Sequence, residues 1–298
     1  MAGSAEMTLV VGYTPHKRDR GSIQLGATLA RSVGLDLRIV TVIPAPWPTP
    51  VAGGTDREFA RWAQEYGDQA VHDAETAAAE LCPDLSVQAL AVAGSSVAGT
   101  LIAEAEKAEA ALIVVGAGSD GSWGTVVLSS TTDHLLHSSP VPVAVATRGY
   151  RSSPDATVTR ATCAFRGDEA SRAALVRAAA ICRDVGASLR VSTFGVRGRT
   201  MYPAEVLGED DILDAYVKQT AAEQEQAVAA LGKARPDSVE TVVITGRSWP
   251  EALEALDWDH GDVLVVGSSS ASFTSRLFLG STATKIVRRS PVPVIVVP

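Results

Sequence analysis

The chain repeats itself once. Leu112-Ile113-Val114-Val115-Gly116-Ala117-Gly118-Ser119 lines up without gaps on Val263-Leu264-Val265-Val266-Gly267-Ser268-Ser269-Ser270, and Gly116 and Gly267 stand 151 positions apart. The same offset carries Pro140-Val141-Pro142-Val143 onto Pro291-Val292-Pro293-Val294, and Leu128-Ser129-Ser130-Thr131 onto Leu279-Gly280-Ser281-Thr282. Three matches at one spacing mark a duplication, and a period of about 150 residues is a whole domain rather than a solenoid turn. With 298 residues, 46% of them apolar, each half can bury its own core. The expected organisation is a first domain over 1–147, a linker over 148–158 that contains Gly149, Ser152, Ser153 and Pro154, and a second domain over 159–298.

Within each half, apolar runs without polar alternation are separated by helix-period segments. In the first half, strands are expected at Thr8–Tyr13, Leu37–Ile43, Val87–Ala93, Ala111–Val115 and Val141–Ala146. Helices are expected at Gly21–Val33, Asp56–Leu81, Ser96–Ala108, with Ser96 as N-cap, and Ser130–His137. The second half repeats the order. Its strands are expected near Ala161–Phe165, Leu189–Thr193, Val239–Ile244, Val263–Val266 and Val292–Val297, and its helices near Glu169–Val185, Asp210–Lys233, Trp249–Leu256 and Ser281–Arg288. Such runs predict an α/β fold: two tandem five-stranded parallel sheets, doubly wound with helices on both faces. The last strands, Val141–Ala146 and Val292–Val297, are apolar edge candidates that need cover, so they are expected to pair with each other inside one chain. A homodimer is left open.

The net charge of −8 and pI near 5.2 argue against nonspecific binding to nucleic acid or to an anionic membrane. The N-terminus has no basic region leading into an apolar core, and no apolar run approaches the ~20 residues that span a bilayer, so a cytoplasmic protein is expected. Cys82, Cys163 and Cys182 are too scattered for a disulfide framework or a zinc site, and are read as reduced, buried thiols.

Parallel sheets of this kind bind ligands beyond the carboxyl ends of their strands. There the fourth strand of each half runs into Gly116 or Gly267, where glycine lets a ligand come close to the backbone. The following helix begins at Ser130 or Ser281, where free N–H groups and the positive end of the dipole suit an anion. A phosphate-binding loop is one reading; a tight turn followed by an ordinary serine N-cap is the other.

These loops resemble those of universal stress proteins. Members that bind ATP carry Gly-x2-Gly-x9-Gly-Ser/Thr between the fourth strand and the last helix. The second half reads Gly267-x2-Ser270-x9-Gly280-Ser281, and the first reads Gly116-x2-Ser119-x9-Ser129-Ser130. The resemblance covers nearly the whole chain and includes Ser171-Arg172-Ala173-Ala174-Leu175 and the Pro-Val-Pro-Val strands. It implies a nucleotide partner, ATP with Mg, held through Gly267, Ser270, Gly280, Ser281 and Thr282, better in the second half because Gly280 is kept. It further implies a base near Val42 or Thr193. ATP-binding members usually place an aspartate just after the first strand, where this chain has Thr14 or Arg166. Arg166 reverses that charge, and either closes the pocket or takes over recognition of the anion.

Other signals are weaker. Gly116-Ala117-Gly118-Ser119-Asp120-Gly121 fits the dinucleotide fingerprint, but after the fourth strand instead of the first, and the second half does not keep it. His134 and His137 share a helix face with Asp133 nearby, yet Lys285 and Arg288 replace them in the repeat, so no metal site is expected. Lys17, Arg18 and Arg20 either form a solvated loop or help hold an anion, and Arg197 and Arg199 could do so in the second half. Trp47 and Tyr202 lie in loops that either cover the pocket mouths or pack. No nucleophile elbow, zincin helix or phosphate-loop lysine is present. The chain reads as a ligand-binding, stress-response module rather than a turnover enzyme. A slow ATP hydrolase and an interaction protein with vestigial pockets are the alternatives.

Overall fold

A computed structural model describes residues 7–15, 20–46, 55–119, 122–196, 209–268 and 279–298. It separates into two compact units, Met1–Thr157 and Val158–Pro298. Unit 1 runs β1 (Thr8–Gly12), α1 (Gly21–Val33), β2 (Asp36–Pro44), α2 (Thr55–Leu81), β3 (Val87–Gly94), α3 (Val97–Lys107), β4 (Leu112–Val115), α4 (Ser130–Ser138) and β5 (Val143–Val145). Unit 2 runs β6 (Arg160–Ala164), α5 (Glu169–Val185), β7 (Ser188–Val196), α6 (Glu209–Ala229), β8 (Val239–Gly246), α7 (Trp249–Glu254), β9 (Asp262–Gly267), α8 (Ser281–Arg289) and β10 (Val294–Val297).

The strand order is β3-β2-β1-β4-β5 in unit 1 and β10-β9-β6-β7-β8 in unit 2. Every strand pair within a unit is parallel. The chain winds outward from β1 to β3, then returns past β1 to β4 and β5. Right-handed crossovers therefore send α1 and α2 to one face and α3 and α4 to the other, and α1 packs beside α2 as α3 packs beside α4. This is the doubly wound arrangement expected from the apolar runs. Among the described residues, no helix is long and apolar enough to cross a membrane.

Several element boundaries differ from the sequence reading, and two of these differences have a local cause. The last strands join the ladder at Val143 and Val294, two residues later than expected. Ser139 explains this: its Oγ donates to Val141 O at 2.7 Å and accepts from Val141 N–H at 3.2 Å, a local turn. Ser290 does the same with Val292. Pro142 and Pro293 then contribute only carbonyls, which accept from Ile113 and Leu264 N–H. The second difference is α6, which stops at Ala229; a separate 3-10 turn follows over Gly232–Ala234, with Gly232 at φ +52.

All three cysteines are buried free thiols. Cys163 on β6 and Cys182 on α5 belong to one core cluster with Phe165, Leu175 and Val191. Burial pushes Cys163 up to about 12, with Cys182 adding to it, and pushes Cys182 up to about 11 against a hydrogen bond from Ala161. These thiols bind their protons more tightly folded than unfolded. Their contribution is complete below the ordinary thiol value near 9 and is lost as pH rises through about 11 to 12. The urea midpoint should accordingly fall between pH 9 and 11, and fall less in Cys163→Ala; identical pH slopes for the two proteins would contradict this.

Candidate functional site

The winding reverses between β1 and β4 and between β6 and β9, and that split leaves a crevice beyond the carboxyl ends of the strands. In unit 1 the crevice has a volume of about 170 Å³. One end is apolar, with Val40 and Val42 from β2 and Val97 and Leu101 from α3. The other end carries Gly116, Ala117, Gly118, Ser129, Thr131 and Thr132, and Tyr13, Thr14 and Ser22 lie between. Burial raises the Tyr13 hydroxyl above its ordinary range, opposed by the charge of Arg20 and reinforced by Asp73.

The matching crevice of unit 2 has a volume of about 60 Å³. Its wall includes Phe165, Arg166 and Asp168 after β6, Ser171 on α5, Phe194 on β7, Gly267 on β9, and Gly280, Thr282 and Ile286 at α8. Both volumes are small beside the ~300–1,000 Å³ usual for ligand sites. The narrowness of the second follows from its residues: Phe194 and Arg166 stand where unit 1 has Val42 and Thr14.

The structure thus brings Thr14, Val42, Gly116 and Ser129 to one crevice, and Arg166, Gly267, Gly280 and Thr282 to the other. Ser119, Ser130 and Ser281 are exposed at the loop and helix starts and are not among the lining residues. Ser270, Lys17, Arg18, Trp47, Arg197, Arg199 and Tyr202 lie outside the described residues. Arg20 is engaged by Glu80 in an ion pair. His137 Nδ1 is hydrogen-bonded to Asp133 O at 2.7 Å.

Thr193 needs correction. It is buried; its Oγ1 donates to Phe165 O at 2.9 Å and accepts from Gln224 Nε2 at 2.9 Å. Its neighbour Phe194 lines the crevice instead. Tyr13 N–H donates to Val40 O and Phe165 N–H donates to Ser192 O. Backbone groups alternate sides along a strand, so two residues further on those of Val42 and Phe194 turn to the same side, past the ends of β1 and β6. Phe194, not Thr193, is the counterpart of Val42.

The two fourth-strand glycines also differ in purpose. A Cβ on Gly267 would lie 2.5 Å from Ala170 O and 3.2 Å from Ala174 Cβ, so α5 itself occupies the clearance that glycine provides. On Gly116 a Cβ would meet nothing closer than Ser22 at 3.8 Å. Close approach of a ligand is therefore not what requires glycine at 267.

At the last helices the N-caps are Ser129 and Gly280, one residue before the serines expected to start them. Ser129 Oγ accepts from Thr132 N–H at 3.1 Å and lies 3.0 Å from Thr132 Oγ1. Ser129 thus satisfies one donor of the first turn of α4, that of Thr132. Gly280 has no side chain to do this, sits at φ −58, and its missing Cβ would meet none of the described residues within 4 Å. Among the described residues no side chain caps the start of α8, which lines the crevice, while α5 is capped by Asp168, whose Oδ1 accepts from Ser171 N–H at 2.9 Å. Burial would raise the Asp168 carboxyl, but hydrogen bonds from Ser171 and the charges of Arg166 and Arg172 outweigh it and hold the group below the usual carboxylate range. Arg166 is exposed, with Nε 3.7 Å from Asp168 Oδ2.

Together these features define a tandem doubly wound α/β protein with a small crevice at the carboxyl end of each sheet. The family model described as the universal stress protein family matches residues 7–147 and again 158–298. The universal stress proteins Rv2319c of Mycobacterium tuberculosis and Mb2346c of Mycobacterium bovis are each 37% identical over 294 residues, covering 98% of this chain and all of theirs. The chain belongs to the universal stress protein family. Two solved structures share the fold. A universal stress protein from Archaeoglobus fulgidus has TM-score 0.57 at 18% identity over 97% of both chains, and a functionally unknown protein from Pseudomonas aeruginosa PAO1 has TM-score 0.60 at 15% identity over 98% of this chain and 92% of that one.

Proposed function

We propose that the protein is a nucleotide-responsive binding module of the stress response, and that the crevice of unit 2 takes the phosphate end of ATP. The start of α8 at Gly280 carries this reading, because among the described residues no side chain caps its backbone donors and nothing fills the space beside Gly280, where α4 has bonded its own serine. Charge supports the choice of unit. Residues 1–157 hold 10 Lys and Arg against 17 Asp and Glu, a net of −7, whereas residues 158–298 hold 16 against 17, a net of −1. Anion recognition would rest on the α8 N–H groups, Thr282 and the Arg166 guanidinium. Magnesium would arrive with the nucleotide and supply charge neutralisation between its phosphates. The apolar wall formed by Val42, Val97 and Leu101 fits a planar base better than the narrower slot beside Phe194. Binding in unit 2 therefore rests on phosphate more than on base. In titration calorimetry, inorganic triphosphate should displace ATP far better than adenosine does; the opposite order rejects the reading.

Arg166 tests the chemistry of the site. In Arg166→Asp, ATP affinity should fall, and its dependence on salt should become shallower than in wild type because one phosphate contact is lost. A gain in affinity would instead show that the arginine closes the crevice. The pairing of the two apolar last strands also belongs to this proposal. Cysteines placed in Val143–Val145 and Val294–Val297 that never crosslink within one chain would remove it.

A further inference from the structure

The two sheets are finished differently at their amino ends, opposite the crevices. Parallel pairing turns partnered residues to one face, so Thr8 faces the same way as Asp36, and Arg38 as Gln88. That face is the one under α3, because Arg38 Nη2 lies 3.4 Å from Glu104 Oε2. In unit 2 the same ladder positions hold Arg160 and Ser188, and Arg190 and Glu240.

Unit 2 fills the space beside this ladder. Arg190 is only 4% exposed, and its Nε donates to Glu240 Oε2 at 3.1 Å. Trp258, from the connection between α7 and β9, holds its ring centroid 5.9 Å from the Arg190 guanidinium carbon, and its Nε1–H donates to Leu253 O at 2.7 Å. Unit 1 has Thr8 and Gln88 in place of Arg160 and Glu240, and its connection from α3 to β4, residues 108–111, contains no aromatic residue. Among the described residues the result is a groove of about 400 Å³, lined on the sheet side by Thr8, Asp36, Arg38 and Gln88 and on the other by Lys107 and Glu109. It is larger than either crevice and falls within the ~300–1,000 Å³ usual for ligand sites. Arg38 Nε is buried beside it with no hydrogen-bond partner among the described residues. Glu109 holds the left-handed φ of +49, whereas the α7–β9 connection places Gly261 at φ +93. A glutamate is strained where glycine is not, and strain of this kind clusters at ligand sites.

We propose that the amino-end groove of unit 1 binds a small uncharged heteroaromatic molecule that carries a ring N–H. Its ring lies on the Arg38 guanidinium as the Trp258 ring lies on Arg190, an attraction that needs no charge on the ring. Its N–H donates to the Glu109 carboxylate. Arg38 and Lys107 already share Glu104, while Asp36 and Glu109 offer acceptors, so the lining favours a hydrogen-bond donor over an anion. The guanidinium in turn disfavours a cationic ring.

Indole, the ring of Trp258 itself, is the probe. Titrated to millimolar concentration into the full chain, it should shift the backbone amide resonances of Ser86 and of Lys107–Glu109 together and saturably. 1-Methylindole, which has lost the donor, should bind about tenfold more weakly. Glu109→Gly relieves the backbone strain and removes the acceptor, so it should raise the urea midpoint while weakening indole by a similar factor. The proposal is overturned by shifts confined to Gly116–Gly118, which would place the ring in the crevice, or by no saturable shift at all. It is equally overturned if 1-methylindole binds as well as indole, or if Glu109→Gly leaves the affinity unchanged, since Glu109 would then be a turn residue only.

Discussion

Gly267→Ala should destabilise unit 2 by about 2 kcal/mol, while Gly116→Ala costs well under 1 kcal/mol. The two positions are equivalent in the repeat and differ in what stands over them. At 267 a methyl group would lie 2.5 Å from a backbone carbonyl oxygen of the first turn of α5, and backbone cannot rotate aside as a flexible side chain can. Either α5 shifts off the sheet, loosening Ala174 and Ala178 from the core, or β9 bends away from β6. At 116 the same methyl group makes an ordinary contact with Ser22. Urea unfolding separates the cases, since a chain of two units need not unfold in one step. The variant at 267 should lose stability in one transition only, and the variant at 116 should overlay wild type. Equal shifts would mean that α5 does not sit on β9 as described.

Gly280→Val should leave the fold nearly intact and weaken ATP binding by about 1–3 kcal/mol, roughly 5- to 150-fold. The stability cost stays near or below about 1 kcal/mol, the usual penalty for an apolar N-cap, because the added side chain meets none of the described residues. That space is where the phosphates would lie, so a branched side chain there displaces them from the α8 donors. Calorimetry on a protein shown to be folded reads the two effects separately. Unchanged affinity would mean that the α8 end is not used.

The fold was legible because the duplication doubled every signal. Each apolar run had a partner 151 or 152 residues away, and parallel strands buried on both faces leave such runs. The same property hid the phase of β7. A strand with no polar alternation does not reveal which residues turn their backbone toward β6, so the sequence does not separate Thr193 from its neighbour Phe194. Ser129-Ser130 offered two serines where only one caps, and the equivalent Gly280-Ser281 offered a serine where none caps. Glycine at 267 was recognisable as a site of close approach, but composition cannot say whether a helix or a ligand is what approaches.

Native mass spectrometry of the intact chain in millimolar Mg-ATP tests the central claim most directly. The account predicts one ATP bound per chain, retained in a variant with Ser129 replaced by valine and lost in Gly280→Val. No bound nucleotide at that concentration, or binding abolished by the change at 129 and untouched by the change at 280, would contradict it.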